Sequence, residues 1–186
     1  RLSLAQKAHN TPHQLVMTAT PIPRSLTMSA YADLDSSIID ELPPGRTPVK
    51  TIALSSERKS EVVEKIKQVC RDDNQVYWVC TLIEESEALR AESATNTHQY
   101  LQESLPGLSV VLIHGKMHKD EKSEIMDKFS QGEIHVLVAT TVIEVGVNVP
   151  NASLMVIENS ERLGLAQLHQ LRGRVGRGAD ASICIL

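Results

Sequence analysis

Short apolar runs alternating with amphipathic stretches constrain this chain more than any other feature. Residues 75–81, 110–113, 135–139 and 154–157 are largely apolar, rich in Val, Ile and Leu, and each ends near a turn or polar cluster. Runs this short, apolar at successive positions, suit strands buried on both faces. Residues 49–54 read as a further strand. Between the strands the period changes. Ser56 is read as the cap of a helix to about Arg71, with Val62, Val63, Ile66, Val69 and Cys70 at helical spacing. A polar helical stretch closes near Leu105-Pro106-Gly107, residues 120–129 turn Ile125, Met126 and Phe129 inward, and a last helix covers 166 to about 174. This βαβ succession predicts an α/β fold, a parallel sheet covered by helices on both sides.

The chain also divides along its length. Residues 1–30 read as the tail of a preceding domain, with a strand at 15–18. Residues 31–48, holding Pro43, Pro44, Pro48 and Gly45, read as a linker, and 49–186 as the main domain. The opening on Arg1 and the apolar close at 182–186, read as a strand cut short, suggest a piece of a longer polypeptide. A length of 186 residues is enough for one full core. No apolar run reaches the roughly 18 residues of a membrane span, and no signal peptide is evident. Cys70, Cys80 and Cys184 stand apart in apolar patterns without metal-ligand spacing, as reduced, buried thiols would. The net charge of −4 does not announce nucleic-acid binding, yet Arg162, Arg172, Arg174 and Arg177 gather near the end and can make a local positive field.

The chemistry concentrates in Gln167-Leu168-His169-Gln170-Leu171-Arg172-Gly173-Arg174-Val175-Gly176-Arg177-Gly178. Two guanidiniums three residues apart, each between or beside glycines, suit an anion approaching the backbone. Gly173, Gly176 and Gly178 remove Cβ bulk, so the loop is expected to turn tightly against a ligand. A solvated basic helix end is the plain alternative. The whole pattern is read as a phosphate-sensing element. A second segment, Leu15-Val16-Met17-Thr18-Ala19-Thr20-Pro21-Ile22-Pro23-Arg24, runs from an apolar strand into a turn that the prolines close. A third reads Ala139-Thr140-Thr141-Val142-Ile143-Glu144-Val145-Gly146-Val147-Asn148-Val149-Pro150.

These three segments, in this order, resemble motifs III, V and VI of superfamily 2 helicases. Thr18 to Arg24, the linker Ile39-Asp40-Glu41-Leu42-Pro43-Pro44-Gly45-Arg46-Thr47-Pro48-Val49 and the stretch 151–167 narrow the resemblance to the RecG family of bacterial DNA helicases. The transcription-repair coupling factors share much of it and are the alternative. The resemblance implies a RecA-like second motor lobe preceded by a remnant of the first lobe. It also implies an ATP-dependent DNA helicase of the bacterial cytoplasm and nucleoid, monomeric at full length and away from membranes, remodelling branched double-stranded DNA in repair and recombination. A non-hydrolytic nucleic-acid-binding module of the same fold remains a further alternative.

By the same resemblance Arg174 and Arg177 would reach ATP held by the first lobe, with Gln170 relaying their geometry or placing water. Gly146, Asn148 and Gly173 would line the nucleotide. Thr140 and Thr141 would touch the DNA backbone, with His114 and Gly115 beside them. Thr18, Ala19 and Thr20 would couple nucleotide state to DNA. Each threonine is also an ordinary β or turn residue, and His114-Gly115-Lys116 an ordinary strand-end turn. Asn148 departs from the aspartate usual in relatives, which removes a charge while keeping one acceptor.

The first half of an ATP site is missing from the pattern. The only Gly-Lys pair, Gly115-Lys116, has Val110 in place of the first P-loop glycine and Met117 in place of the hydroxyl. Asp40 and Glu41 follow the Thr-Ala-Thr segment instead of preceding it and read as linker residues, not magnesium ligands. ATP and Mg2+ are therefore expected to sit mainly on the other lobe. The motifs are expected at the carboxyl ends of the strands, where parallel sheets bind ligands.

Overall fold

The structure, a computed structural model, describes residues 37, 39, 41, 46–81, 87–140, 149–178 and 181–186. Contacts divide the chain after Ser37, and every element below belongs to the unit 38–186. Six strands form one sheet: β1 (Lys50–Ile52), β2 (Gln75–Cys80), β3 (Val110–Ile113), β4 (Val136–Ala139), β5 (Ala152–Glu158) and β6 (Ile183–Ile185). Their order is β1-β6-β5-β2-β4-β3, and every neighbouring pair is parallel. The helices are α1 (Lys59–Arg71), α2 (Glu87–Ser104), α3 (Lys119–Ser130) and α4 (Leu165–Arg172).

Both faces of the sheet are covered, which is why its strands lack a polar alternation. In β2 every residue is buried. Val76, Trp78 and Cys80 face one layer, with Val138 and Val156 beside Trp78 and with Ile66 of α1 and Leu101 of α2 packed on them. Tyr77 and Val79 face the other, with Leu137, Met155, Met126 and Phe129 of α3, and Leu171 of α4. Tyr77 and Phe129 meet edge to face, ring centroids 4.9 Å apart. Such large apolar side chains contribute about 1.5–3 kcal/mol each on burial. At the start of β2 the Gln75 amide donates to the carbonyls of Phe129 and Ile134, tying the end of α3 to the sheet.

Two details differ from the expectation. The N-cap of the first helical segment is Ser55, whose hydroxyl accepts from Glu57 N–H, and Ser56 opens a short 3-10 turn ahead of α1. The last helix ends at Arg172, so Arg174 lies in the loop beyond it. The strand read in the apolar close is present at residues 183–185, paired with β1 on one side and β5 on the other.

At the carboxyl ends of β2 and β5 a polar cluster closes one layer. Glu158 pairs with Lys59 at 2.7 Å and accepts from the Trp78 indole at 3.1 Å, and Lys59 lies over the Trp78 and Tyr100 rings. Thr81 donates its hydroxyl to the carbonyls of Glu158 and Asn159. These groups satisfy one another, and the cluster holds α1 and α2 onto the strand ends.

Candidate functional site

The arginine run begins where α4 stops. Gly164 opens this helix, its N–H donating to the Gln167 side chain at 3.1 Å, so Gln167 serves as half of a capping box. Gly173 closes it in helical conformation, its N–H bonded to His169 O at 3.0 Å. Beyond that the backbone turns and is pinned by one apolar side chain. Leu171 and Val175, 1% and 0% exposed, are buried in the same layer as Tyr77. With these two anchored, Arg174 stays half-buried and Arg177 exposed. Gln170, expected to relay their geometry, is exposed on α4.

The glycines meet the fold's own demands. Gly176 has φ +73°, and a Cβ there would lie 2.8 Å from the Val49 side chain. A Cβ on Gly178 would lie 2.6 Å from the carbonyl oxygen of Pro150, backbone that cannot swing aside. At Gly173 a Cβ would meet two helix carbonyls at 3.4 and 3.5 Å, close to ordinary contact. The expectation that these glycines leave room for a ligand is therefore corrected at Gly176 and Gly178: Val49 and Pro150, just ahead of two strands, occupy the space of a Cβ there.

These contacts also locate the loop. Val49 precedes β1, Pro150 precedes β5, and Ser182, which also neighbours Gly176, precedes β6. The arginine loop thus sits at the amino ends of the strands, not at the carboxyl ends as expected. The reason is connectivity: α4 leaves the carboxyl end of β5 and must carry the chain back before β6 can run parallel. His114 and Thr140 do stand at carboxyl ends, after β3 and β4. The six residues of β2 put these ends roughly 20 Å apart at about 3.3 Å per residue. The structure does not bring the two sets together.

At the carboxyl end, Thr140 is buried and its N–H donates to Ile113 O. His114 is half-buried, and its Nδ1 has no partner among the described residues. Gly115 is exposed and its carbonyl accepts from Lys122 at 2.7 Å. Thr18, Ala19, Thr20, Thr141, Gly146 and Asn148 lie outside the described residues, as does Asp40. The described chain leaves off after Thr140 at one end of the sheet and resumes at Val149 near the other.

Two residues that the sequence reading passed over complete the arginine site. Arg46 donates through Nε to Gly176 O at 3.0 Å and through Nη2 to Gly173 O at 3.3 Å. Arg177 Nε reaches the same Gly173 carbonyl at 3.4 Å. Tyr77, beneath, feels both Arg174 and Arg177: burial pushes its phenol up to about 12, and the two positive charges oppose that shift. Partial burial pulls the Arg177 guanidinium below its ordinary value, and the charges of Arg174 and Arg46 pull it further down. Among the described residues, no carboxylate lies within ion-pair distance of Arg46 or Arg174. Arg46, Arg174 and Arg177 thus lie close enough to feel one another's charge, which raises the local positive potential. No sequence pattern marks Arg46 for this place, since it lies 127 residues from Gly173.

Known proteins resemble this chain throughout. The helicase conserved C-terminal domain family matches residues 58–179. The ATP-dependent DNA helicase RecG of Escherichia coli K12 is 62% identical over 190 residues, spanning 100% of this chain and 27% of that protein. RecG of Thermotoga maritima is 50% identical over 173 residues, 92% of this chain and 22% of that protein. The chain thus spans about a quarter of the length of these relatives. A solved structure of RecG bound to a three-way DNA junction matches with a TM-score of 0.75 at 41% identity, over 96% of this chain and 25% of that one. The C-terminal domain of the DEAD-box protein Dbp5 shares the fold, with a TM-score of 0.53 at 18% identity over 76% of this chain and 75% of that one.

Proposed function

This chain belongs to the helicase conserved C-terminal domain family and stands with its RecG-type members, and from that premise we propose that it is the second, RecA-like motor lobe of an ATP-dependent DNA helicase acting on branched DNA. The observation that carries the reading is the anchored arginine loop: Leu171 and Val175 bury themselves while Arg174 stays half-buried and Arg177 exposed, with Arg46 close by. Such a site lowers the energy of an anion brought to it and costs nothing to reorganise when charge develops.

In this reading ATP and its magnesium are held mainly by a preceding lobe, to which residues 1–30 belong, joined through a linker at 31–48. The guanidiniums of Arg174 and Arg177 suit the phosphate end of that nucleotide. This lobe contributes cations of its own, the guanidiniums of Arg174 and Arg177. Magnesium, when bound with ATP, supplies charge neutralisation on the phosphates. Arg174 and Arg177 close on the γ-phosphoryl group and stabilise charge that builds in the transition state, a role worth about 10³–10⁵ in rate in comparable systems. Gln170 and Gly173 flank that approach, and Gly146 and Asn148 would lie along the nucleotide.

The opposite end of the sheet is assigned to DNA. There Thr140, Thr141, His114 and Gly115 meet the phosphate backbone, contacts that position without reading sequence. Thr18, Ala19 and Thr20 pass the nucleotide state to that track. Repeated closure and release moves the lobes along DNA. The whole protein would work as a monomer on the bacterial chromosome, reversing forks and migrating junctions in repair and recombination.

The test is stimulation of ATP hydrolysis by the full-length protein with forked DNA, linear duplex and structured RNA in parallel. The reading expects the forked DNA to stimulate most. Equal stimulation by RNA would reassign the lobe to an RNA motor, and binding without hydrolysis on any substrate would make it a docking module.

A further inference from the structure

We propose that Arg46 is a positioning residue for the arginine loop, gripping its backbone from the segment that leads into β1 so that the loop's aim depends on where that segment lies. The proposal rests on the phosphate-sensing reading of Arg174 and Arg177 and extends it to a residue outside the motif. Arg46 holds two carbonyls, Gly173 O and Gly176 O, which bracket Arg174 and Val175 in sequence. A guanidinium does this well because its donors lie in one rigid plane. Gly173 O also receives Arg177, so one oxygen is common to the clamp and to the outward-facing arginine.

A second contact runs along the same strap. The backbone of Gly176 lies so close to Val49 that a Cβ would come within 2.8 Å of its side chain. Residues 46 and 49 therefore hold the loop at two points, one polar and one by packing. A shift of this segment cannot leave the loop behind. Capping two carbonyls needs only donors, and a neutral amide would serve. A permanent charge at this place instead adds repulsion to Arg177, seen in the lowering that burial, Arg174 and Arg46 together impose on it. That arrangement is favourable overall when an anion is present to share. Since residues 31–48 are assigned to the joint between lobes, Arg46 ties that joint to the groups that meet the phosphates. Lobe closure and arginine placement then become one movement.

The experiment uses the full-length helicase with Arg46→Ala, Arg46→Lys, Arg177→Ala and the Arg46→Ala/Arg177→Ala double variant. The quantities read are kcat and KM for ATP on forked DNA, together with the melting temperature. Misplacing a group that acts in the transition state costs on the order of 10²-fold in rate, so Arg46→Ala is expected to lose about that much in kcat, with KM for ATP little changed. Lysine keeps the charge and has donors to spare but lacks the rigid planar fork, and is expected to recover only part of the rate. In the Arg177→Ala background, Arg46→Ala should cost little more, because both changes spoil one unit. A lowered melting temperature with full kcat would make Arg46 a structural clamp and overturn the proposal. Additive losses in the double variant would overturn it as well. Should Arg46→Ala fail to fold, Arg46→Lys decides: reduced kcat supports the proposal and undiminished kcat sinks it. Full turnover in Arg177→Ala would fail the phosphate reading itself, whereas loss there with intact Arg46→Ala would fail this proposal alone.

Discussion

Gly178 and Gly173 stand five residues apart in one motif, yet the fold treats them differently. A methyl at 178 would press on Pro150 O at 2.6 Å, whereas one at 173 would sit at 3.4 Å or more from its neighbours. Overpacking of this kind costs about 1–3 kcal/mol, so Gly178→Ala should lower the melting temperature clearly and Gly173→Ala hardly at all. Thermal unfolding of the two variants checks this; equal melting would mean that the loop yields freely. The same pair shows what could be read in advance. A glycine beside an arginine looks alike whether it makes room for a ligand or for a neighbouring strand. Only the positions of Val49 and Pro150, far away in sequence, distinguish the two. Arg46 was hidden for the same reason, while Arg174 and Arg177 stood out because their spacing is local.

At the scale of elements, strands were legible because burial on both faces makes them continuous apolar runs, as in Val136–Ala139. The helix α2 was visible only as a polar stretch, since among its described side chains the buried ones are Ala94, Thr97 and Leu101. The end of the sheet on which the arginine loop lies was not legible. That depends on β6 entering between β1 and β5, and a three-residue strand carries no mark of its partners. The packing makes its own prediction. Phe129, fully buried against Tyr77, joins α3 to the sheet. Replacing it with alanine should cost about 3–5 kcal/mol, measured by urea unfolding. A cost below 1 kcal/mol would mean that α3 is loosely held.

For the molecule as a whole, buried acids of high pKa set an alkaline limit. Burial pushes Cys70 and Cys184 up to about 11, and Cys80 and Tyr77 up to about 12. In the unfolded chain thiols and phenols ionise near 8.5 and about 10. The folded state keeps its protons longer, so this contribution is complete below about pH 8.5 and is lost as pH climbs toward the folded values. The melting temperature should therefore fall steadily above about pH 9, and the three thiols should resist alkylation at pH 8 until the protein is unfolded. Rapid alkylation of the native protein would contradict this burial. On the proposed reading, function at this scale is divided between lobes: this chain presents arginines at one end of its sheet and the expected DNA contacts at the other, and turnover would require the lobe that holds ATP. The central claim is that Arg177 completes that distant site. The most direct measurement is ATP hydrolysis by the full-length protein on forked DNA, wild type against Arg177→Ala, with DNA affinity measured alongside. The account predicts a fall in kcat of about 10²-fold or more, near the lower reach of such an arginine, with DNA binding almost unchanged. Undiminished turnover, or a loss confined to DNA binding, would contradict it.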